Sequence, residues 1–537
     1  MPTDPAKPAP TGAAPTRIQR VRSALSARRL VVGLLLLLLL PAGLGAAALS
    51  YQTPDPAPPA TAEPHEPLPQ VPDSVARAQL DRSGQASRIA KRLTAPQLLD
   101  ASRTGSAAGS LATVALAPRA TPYTLAEVRA LVPAAFSGVA GAPGAVLVKA
   151  NIDVPLGATL VVDGATPDVR LTSRPDGFAT LISRGTVRIT GSDGAQVRIG
   201  SWDPVAGAPD SVSTDGRSFV LQIGGRMDVD QARFSDLGFG TGTSSGAAWR
   251  GAAADTGSTE QVKATGTVTS SVFTGNHFGA YTHEAQGMVW ENNTFVANEE
   301  YGFDPHDFSD DFLVTGNTAR GNGKHGFIFS RGCNRNVMRD NYSYDNAGHG
   351  FMIDDGRSVT TAEAQSRIDT SNYNVVTGNA AYDNANSGVE IEGGSGNVVS
   401  GNTLARNDIG VRIKDGAVAS IVDNTIVDSD RYGVNVLDSG GQVPVSRNTI
   451  SGSWAAVNLA GASSATVGDN TVTDVTTPLV VDSVVTYETT WVDEVAKYIR
   501  WNPLLVLWGL ILGVPFLVGV LRALEPPFHR RHALHRP

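Results

Sequence analysis

The chain has 537 residues, a formal net charge of −8 and one cysteine, Cys333. A single cysteine excludes an internal disulfide framework. No His/Cys spacing is typical of zinc, so we predict no metal centre and a small buried thiol. The sequence contains no basic domain and no aromatic stacking platform, which argues against nucleic acid as a partner.

Residues 1–29 form a basic tail, and the apolar run at 30–49 that follows is long enough to span a bilayer. Because positive residues stay on the cytoplasmic side, this order predicts a cytoplasmic tail and then a transmembrane helix or signal anchor. The small residues that close the run leave a cleaved signal peptide as the alternative. Residues 50–121 are rich in Pro and Ala and are predicted to be an extracytoplasmic linker, with a short helix near 76–99.

From residue 122 to residue 485 the chain carries a repeat. Gly-Asn and Asp-Asn pairs recur at steps of 22 to 24 residues, with one longer step of 38 between Asn341 and Asn379. The short alternating apolar runs between the pairs are typical of strands. This period predicts an all-β fold, a right-handed parallel β-helix with about three strands per coil. The stacked Asn side chains are predicted to satisfy the turns, and the long step predicts a loop near 355–371.

The last part of the chain mirrors the first. Residues 486–500 are predicted to be a juxtamembrane segment, 501–521 a second transmembrane helix and 522–537 a second basic cytoplasmic tail. Both ends are therefore expected inside a bacterial-type cell membrane, anchored by two spans, with the β-helix on the extracytoplasmic side.

Stacking the coils brings chemically reactive residues together on one outer face. Alternation along the strand sends Phe303 and Pro305 into the core and Asp304 and His306 outwards. Neighbouring coils then add an imidazole before this strand and an arginine after it. We predict as catalytic groups Tyr301, Asp304, His306, Asp307 and Arg331, and as substrate contacts Tyr281, His283, Lys324, His325 and Asp354.

These groups suit proton abstraction beside a carboxylate. His306 can accept the proton, because the pKa of an imidazole lies near neutrality. Arg331 can hold the carboxylate of a uronic acid and spread the charge that develops in the transition state. Asp304 and Asp307 can orient the imidazole or bind sugar hydroxyls, and Tyr301 or a water can return a proton on the opposite face. Expulsion of the 4-O substituent would instead make the enzyme a lyase, and the residues alone leave both outcomes open.

Two segments resemble the mannuronan C5-epimerases, alginate-modifying proteins of the right-handed β-helix type. The first is Tyr301-Gly302-Phe303-Asp304-Pro305-His306-Asp307, and the second runs from Lys324 to Arg331 and contains His-Gly-Phe-Ile-Phe-Ser-Arg. The resemblance implies that His306 is the base, that Arg331 neutralises the uronate and that Tyr301 takes part in proton transfer. It also implies a further lysine on an earlier coil, which the sequence does not place.

The resulting prediction is an epimerase that converts mannuronate to guluronate within an anionic polysaccharide. The alternatives are a polyuronate lyase and a non-catalytic carbohydrate-binding or structural β-helix. No cofactor is required by the chemistry, although the sequence leaves a calcium site open. Predicted partners are the polysaccharide, the membrane at both termini and an exopolysaccharide synthesis or export complex.

Overall fold

The computed structural model describes residues 73–105, 110–192, 194–240, 242–252, 262–356, 369–461 and 463–480, together with residues 513 and 515. Within these ranges the chain winds into successive coils. Strands of successive coils pair in parallel and form three long sheets. Each sheet gains one strand per coil, so side chains one repeat apart in sequence become neighbours in space. This is the parallel β-helix that the repeat predicts.

The first sheet carries the candidate site. Its described strands are Gln97–Leu99, Thr113–Ala115, Asn151–Val154, Thr180–Ser183, Phe219–Ile223, Gly246–Arg250, Phe278–His283, Phe303–His306, Phe327–Ser330, Phe351–Asp354, Ser387–Glu392, Ile409–Lys414, Tyr432–Leu437, Ala455–Ala460 and Thr477–Val480. The second sheet comprises Tyr123–Thr124, Thr159–Asp163, Thr186–Thr190, Arg226–Asp230, Thr267–Thr269, Val289–Glu291, Leu313–Thr315, Val337–Arg339, Val375–Thr377, Asn397–Ser400, Ala419–Val422, Gln442–Ser446 and Ser464–Gly468.

The third sheet closes each coil. Its described strands are Phe136–Val139, Ala142–Val148, Asp168–Arg174, Val197–Asp203, Ala232–Ser235, Val272–Thr274, Thr294–Val296, Thr318–Arg320, Tyr342–Tyr344, Ala380–Tyr382, Thr403–Ala405, Thr425–Val427, Thr449–Ser451 and Thr471–Thr473, with Gly177–Phe178 and Ala208–Pro209 paired at its side. Among the described strands four pairings are antiparallel. They are Gln97–Leu99 with Thr113–Ala115, Phe136–Val139 with Ala142–Val148, Asp168–Arg174 with Gly177–Phe178, and Val197–Asp203 with Ala208–Pro209. Short 3₁₀ helices span Ala101–Thr104, Pro133–Ala135 and Gly242–Ser244.

Aromatic side chains stack inside the coils. The rings of Phe273 and Phe295 lie 5.2 Å apart, and those of Phe295 and Phe303 lie 5.4 Å apart, both in stacked orientation. Phe327 stacks on Phe351 at 5.0 Å one coil further on. Each ring therefore contributes both area burial and the additional attraction of an aromatic pair. Because Phe303 belongs to this core, the strand that carries the candidate site is fixed from behind.

The Asn columns are structural, as predicted. The Asn317 side chain is fully buried, and its Oδ1 accepts hydrogen bonds from the backbone N–H and the amide of Asn293, both at 2.9 Å. Asn341 and Asn379 repeat this geometry at 2.9 Å across the 38-residue step. The stack therefore continues without a fault past the predicted insertion, most of which (357–368) lies outside the described residues.

Two α-helices of the described ranges precede most of the coils. The helix Asp73–Ala90 packs on the outer face of the first sheet, where Ser83 and Ser87 donate to the buried carboxylate of Asp153 at 2.5 and 2.8 Å. The second helix, Leu125–Leu131, begins at the side-chain cap Thr124, which accepts from the backbone N–H of Glu127. The first helix overlaps the predicted segment 76–99, but it begins three residues earlier and ends nine residues earlier.

The predicted linker boundary at residue 121 differs from the structure. The helix Asp73–Ala90 and the strands Gln97–Leu99 and Thr113–Ala115 already belong to the packed domain. They precede the first Asn pair, so the periodic signal on which the boundary depended does not reach them. Among the described residues no helix is long and apolar enough to cross a bilayer. Both predicted spans, both basic tails and the juxtamembrane segment lie outside the described residues, apart from residues 513 and 515.

Candidate active site

The site lies on the outer face of the first sheet, where three successive strands end. Thr282 and His283 pair with Pro305 and His306, so the two imidazoles come from equivalent positions on adjacent coils. Phe303 pairs with Phe327 on the next coil, which carries Arg331 directly after its strand. The predicted alternation is present, since the inward side chain of Phe303 is in the core cluster.

Asp307 is the centre of the site. Its Oδ1 lies 2.8 Å from Nδ1 of His306 and 3.5 Å from Nε of Arg331, and its Oδ2 lies 3.4 Å from Nε2 of His283. The His306 contact is short but poorly aligned, so it is an electrostatic contact rather than a directed hydrogen bond. Contacts of this kind are often loose in a free enzyme and tighten when substrate binds. One carboxylate thus joins three coils and holds Nδ1 of His306, which leaves Nε2 as the basic nitrogen.

Left-handed turns at the strand ends create this geometry. Asp307, Phe308 and Arg331 have φ values of 29°, 59° and 52°. Such values reverse the direction of the chain and end the strict alternation of the strand. The turn at Asp307 is also held from an earlier coil, because Lys263 donates from Nζ to the carbonyl oxygen of Phe308 at 3.2 Å. Lys263 is a contact that sequence reasoning missed, since no repeat position marks it.

The stem of Arg331 crosses a glycine. A Cβ built on Gly356 would lie 2.4 Å from Cγ and 2.5 Å from Cδ of Arg331. Nη2 of Arg331 lies 3.9 Å from Asp369, in the last part of the predicted loop near 355–371, and the Asp369 carbonyl accepts from the backbone N–H of Gly332 at 2.7 Å. The guanidinium therefore lies between two carboxylates, and its side chain is only 12% exposed.

Burial and neighbouring charge set the ionisation of the site. Burial by itself would raise the pKa of Asp307, but its contacts with His283, His306 and Arg331 outweigh burial and hold it well below the ordinary value. Burial by itself would lower the pKa of His306, but the carboxylates of Asp307 and Asp304 outweigh it and raise this pKa. The pKa of His306 therefore lies above the ordinary imidazole value.

Asp304 has a different environment from Asp307. Its side chain is 1% exposed, and its Oδ1 has no hydrogen-bond partner among the described residues. Burial raises the pKa of this carboxyl to about 7, although the nearby imidazole of His306 opposes the shift. Sequence reasoning allowed either aspartate to orient the imidazole. The contact distances assign that task to Asp307.

The two tyrosines lie on either side of Asp304. Tyr281, on the preceding coil, pairs with Asp304, and its ring centroid lies 5.8 Å from that of His306. Tyr301 precedes the strand, and its ring packs against Phe278 at 5.0 Å and His325 at 5.4 Å. Burial, with a further contribution from Asp304, raises the pKa of both phenols, so each stays protonated and able to donate.

His325 and Lys324, which are predicted to contact substrate, instead contact other residues of the protein. Nδ1 of His325 accepts the backbone N–H of His349 at 2.9 Å, and the two imidazoles pack at 4.7 Å. Burial lowers the pKa of both rings, so they are neutral packing groups beside Tyr301. Nζ of Lys324 pairs with Glu300 at 2.9 Å on the exposed edge. Of the predicted substrate contacts, His283 and Tyr281 lie beside His306.

A second cluster of charged side chains lies on later coils. Nζ of Lys414 contacts Glu390 at 3.3 Å and also contacts Glu392, both of which are buried. Carboxylate oxygens of Asp354, Asp355 and Glu392 lie within 4.8 Å of one another. Burial raises the pKa of Glu392, which is consistent with incomplete compensation by Lys414. Asp354 therefore belongs to this cluster.

The fold and site define a right-handed β-helix protein with two imidazoles, an arginine and two phenols on one face. Residues 247–366 and 361–472 match the family model described as a right handed beta helix region, which confirms the predicted fold and its handedness.

The predicted resemblance to mannuronan C5-epimerases is also confirmed. A mannuronan C5-epimerase of Pseudomonas putida is 30% identical over 220 residues, which is 40% of each chain. Mannuronan C5-epimerase AlgG of Azotobacter vinelandii is 27% identical over 209 residues, 38% of each chain. This chain thus spans about 40% of the length of the curated relatives it matches.

Solved structures agree on the fold. The periplasmic alginate epimerase AlgG superposes with a TM-score of 0.54 at 20% identity, covering 69% of this chain and 85% of that one. A double mutant of the same epimerase gives 0.57 at 20% identity, covering 67% and 85%.

Proposed function

We propose that this chain is a C5-epimerase that acts on uronic acid residues within a polymer and converts mannuronate to guluronate in an alginate-like exopolysaccharide. The observation that carries the proposal is the shared carboxylate of Asp307. It holds the Nδ1 side of His306 and Arg331 of the next coil side by side on one outer face. The names of the sequence relatives, mannuronan C5-epimerases, support the same reaction.

The first step is removal of the C5 proton. Nε2 of His306 takes this proton while Asp307 stabilises the imidazolium that forms at Nδ1. The electron pair of the C5–H bond moves into the carboxylate and creates an enediolate-like species with additional negative charge. Arg331 faces that charge with a planar, permanently protonated fork of donors, and its burial strengthens the interaction.

The second step returns a proton on the other side of the ring. Tyr301 precedes the strand and His306 ends it, so a sugar lying over Asp304 has these two groups at opposite ends. The phenol of Tyr301 is protonated at neutral pH, as any tyrosine with an ordinary or raised pKa is, and it donates its phenolic proton to C5. His306 and Tyr301 then regain their starting states by exchange with solvent. One proton leaves C5 and one arrives, so the sugar changes configuration without a change in composition.

Polymannuronate in deuterated water tests the proposal with the full-length chain in detergent. Epimerisation predicts deuterium at C5, new guluronate signals in the NMR spectrum and unchanged chain length. An absorbance increase from unsaturated chain ends would identify a lyase, which shares the first step. If neither signal exceeds that of the His306→Ala variant, the enzymatic assignment for this substrate is refuted.

Arg331→Ala provides a second test of the same site. We expect its kcat/KM to fall about 100-fold, since a buried donor to a developing oxyanion is worth roughly that much. Arg339→Ala is the matched control, because Arg339 is exposed at the end of a second-sheet strand. Equal rates for the two variants would contradict the role given to Arg331.

The sequence supports an extracytoplasmic position for this activity. The two apolar runs with basic flanks at 30–49 and 501–521 predict a domain held outside the membrane by both ends. We infer from this anchoring that the enzyme meets its polymer during export, beside an exopolysaccharide synthesis or export complex. Protease accessibility of the β-helix in intact spheroplasts, with both tails protected, would establish the topology.

A further inference from the structure

Asp304 and Asp307 are close in sequence but differ in every contact. Asp307 touches two imidazoles and a guanidinium. Asp304 is buried to 1% exposure, and its Oδ1 is without a hydrogen-bond partner among the described residues. A buried carboxylate with an unpaired oxygen is strongly disfavoured, whereas a neutral carboxylic acid in the same place costs far less.

The surroundings of Asp304 favour the neutral form. In its column on the outer face, Tyr281 lies on the preceding coil, and the next coils present the buried apolar side chains of Ile328 and Met352. The titratable groups around it are more often acidic than basic. They are Glu300 and Tyr301 before the strand, His306 at its end, Asp307 after it, Tyr281 on the preceding coil, Cys333 and Asp354. Only His306 among these opposes protonation of Asp304, and a pKa of about 7 results.

We propose that Asp304 acts as a neutral carboxylic acid that donates a hydrogen bond to the carboxylate of the reacting uronate, on the side not held by Arg331. The inference rests on the proposed epimerase function. It makes Asp304 a protonated acid and Asp307 an ionised carboxylate. The Asp304 proton is shared with the substrate oxygen but not transferred. The C5 proton still moves to His306, and the new one still comes from Tyr301, so the atoms balance as before. A protonated carboxyl in an apolar site that donates to a developing oxyanion is a known catalytic device.

Protonation of Asp304 and His306 is coupled. The active form needs neutral His306 and protonated Asp304, so the pair holds one proton in the working pH range. The two side chains make no direct hydrogen bond, and burial opposes a separated ion pair, which together favour placing this proton on Asp304. Activity is therefore expected to rise with pH as the pair loses its first proton and to fall as it loses the second.

Three variants test whether Asp304 acts as a protonated donor while Asp307 acts as an anion. Asp304→Asn keeps an N–H donor of the same size, so we expect a loss of kcat/KM of no more than about tenfold, whereas Asp304→Ala loses about 100-fold or more. Asp307→Asn is the matched control, and it should lose at least about 100-fold because Asp307 must be anionic to hold His306. The pH profile of Asp304→Asn should lose its alkaline limb. An Asp304→Asn enzyme as inactive as Asp304→Ala, or one that keeps the alkaline limb, would overturn the proposal.

A measurement without substrate separates this inference from the proposed function. Infrared difference spectra of the full-length wild type at neutral pH should show the carbonyl stretch of a protonated carboxyl group that is missing in Asp304→Asn and retained in Asp307→Asn. Absence of that band refutes the inference even if the enzyme is an epimerase. If the band is present but the protein leaves polymannuronate unchanged, Asp304 is still a neutral acid, and the epimerase assignment is refuted.

Discussion

Gly356→Ala should disable the site without removing any group that touches substrate. The new Cβ would lie 2.4 Å from Cγ of Arg331, whereas an ordinary contact begins at 3.4 Å. The arginine stem must therefore move by about 1 Å, and a shift of that size in a catalytic group can cost about 100-fold in rate. Gly356 also has φ +83°, so alanine adds roughly 1–2 kcal/mol of backbone strain.

Gly321→Ala is the control that separates the effect of backbone strain from the effect of moving the Arg331 side chain. Gly321 has φ +61°, and a Cβ there meets nothing within 4 Å, so this variant carries a similar backbone cost away from the site. We expect both variants to lose similar stability in chemical denaturation, but only Gly356→Ala to lose kcat/KM in the deuterium-exchange assay. Combining Gly356→Ala with Arg331→Ala should cost no more than Arg331→Ala alone. A Gly356→Ala enzyme within threefold of wild type would refute the positioning of Arg331 by this glycine.

Three further outcomes follow from the contacts. His306→Gln should reduce C5 deuterium exchange by about 100-fold or more, the usual contribution of a general base, with unchanged secondary structure by circular dichroism as the control. Asn317→Ala should lower the free energy of unfolding by about 2–4 kcal/mol, because buried donors of Asn293 lose their acceptor. Asn386 is half-exposed, so Asn386→Ala should change the free energy of unfolding by less than about 0.5 kcal/mol. Equal effects of the two variants would contradict the structural role of the stacked Asn side chains. His325→Asn should lower stability but leave KM within about twofold of wild type, since Nδ1 of the imidazole is occupied by the backbone N–H of His349. A tenfold increase in KM would instead show that His325 contacts the substrate, as the sequence predicts.

The fold could be predicted because it is periodic. The recurrence of Asn at each turn fixes the length of a coil, and the amide ladder seen at Asn293, Asn317 and Asn341 is the physical reason for that recurrence. The same period brought Arg331 next to the strand of His306, although 25 residues separate them in sequence. Alternation also assigned Phe303 correctly to the core.

Side-chain partners were harder to predict than backbone positions. Asp307 could not be distinguished from Asp304, because the left-handed turn at φ 29° ends the alternation on which the assignment depended. Lys263 reaches Phe308 from a segment without a repeat signal. Burial of Glu390 and Glu392 also escaped prediction, because both stand at positions that alternation assigns to the solvent face.

The candidate site occupies only a short part of the long stack of coils. Every group from Tyr281 to Arg331 comes from three neighbouring coils, and their mutual contacts cross only one coil boundary at a time. In a stack where each coil packs chiefly on its neighbours, stability and folding are additive along the axis. A duplication or deletion of whole coils outside these three would lengthen or shorten the stack while leaving the contacts among these groups intact. The length of the stack can therefore change without a change in the candidate site.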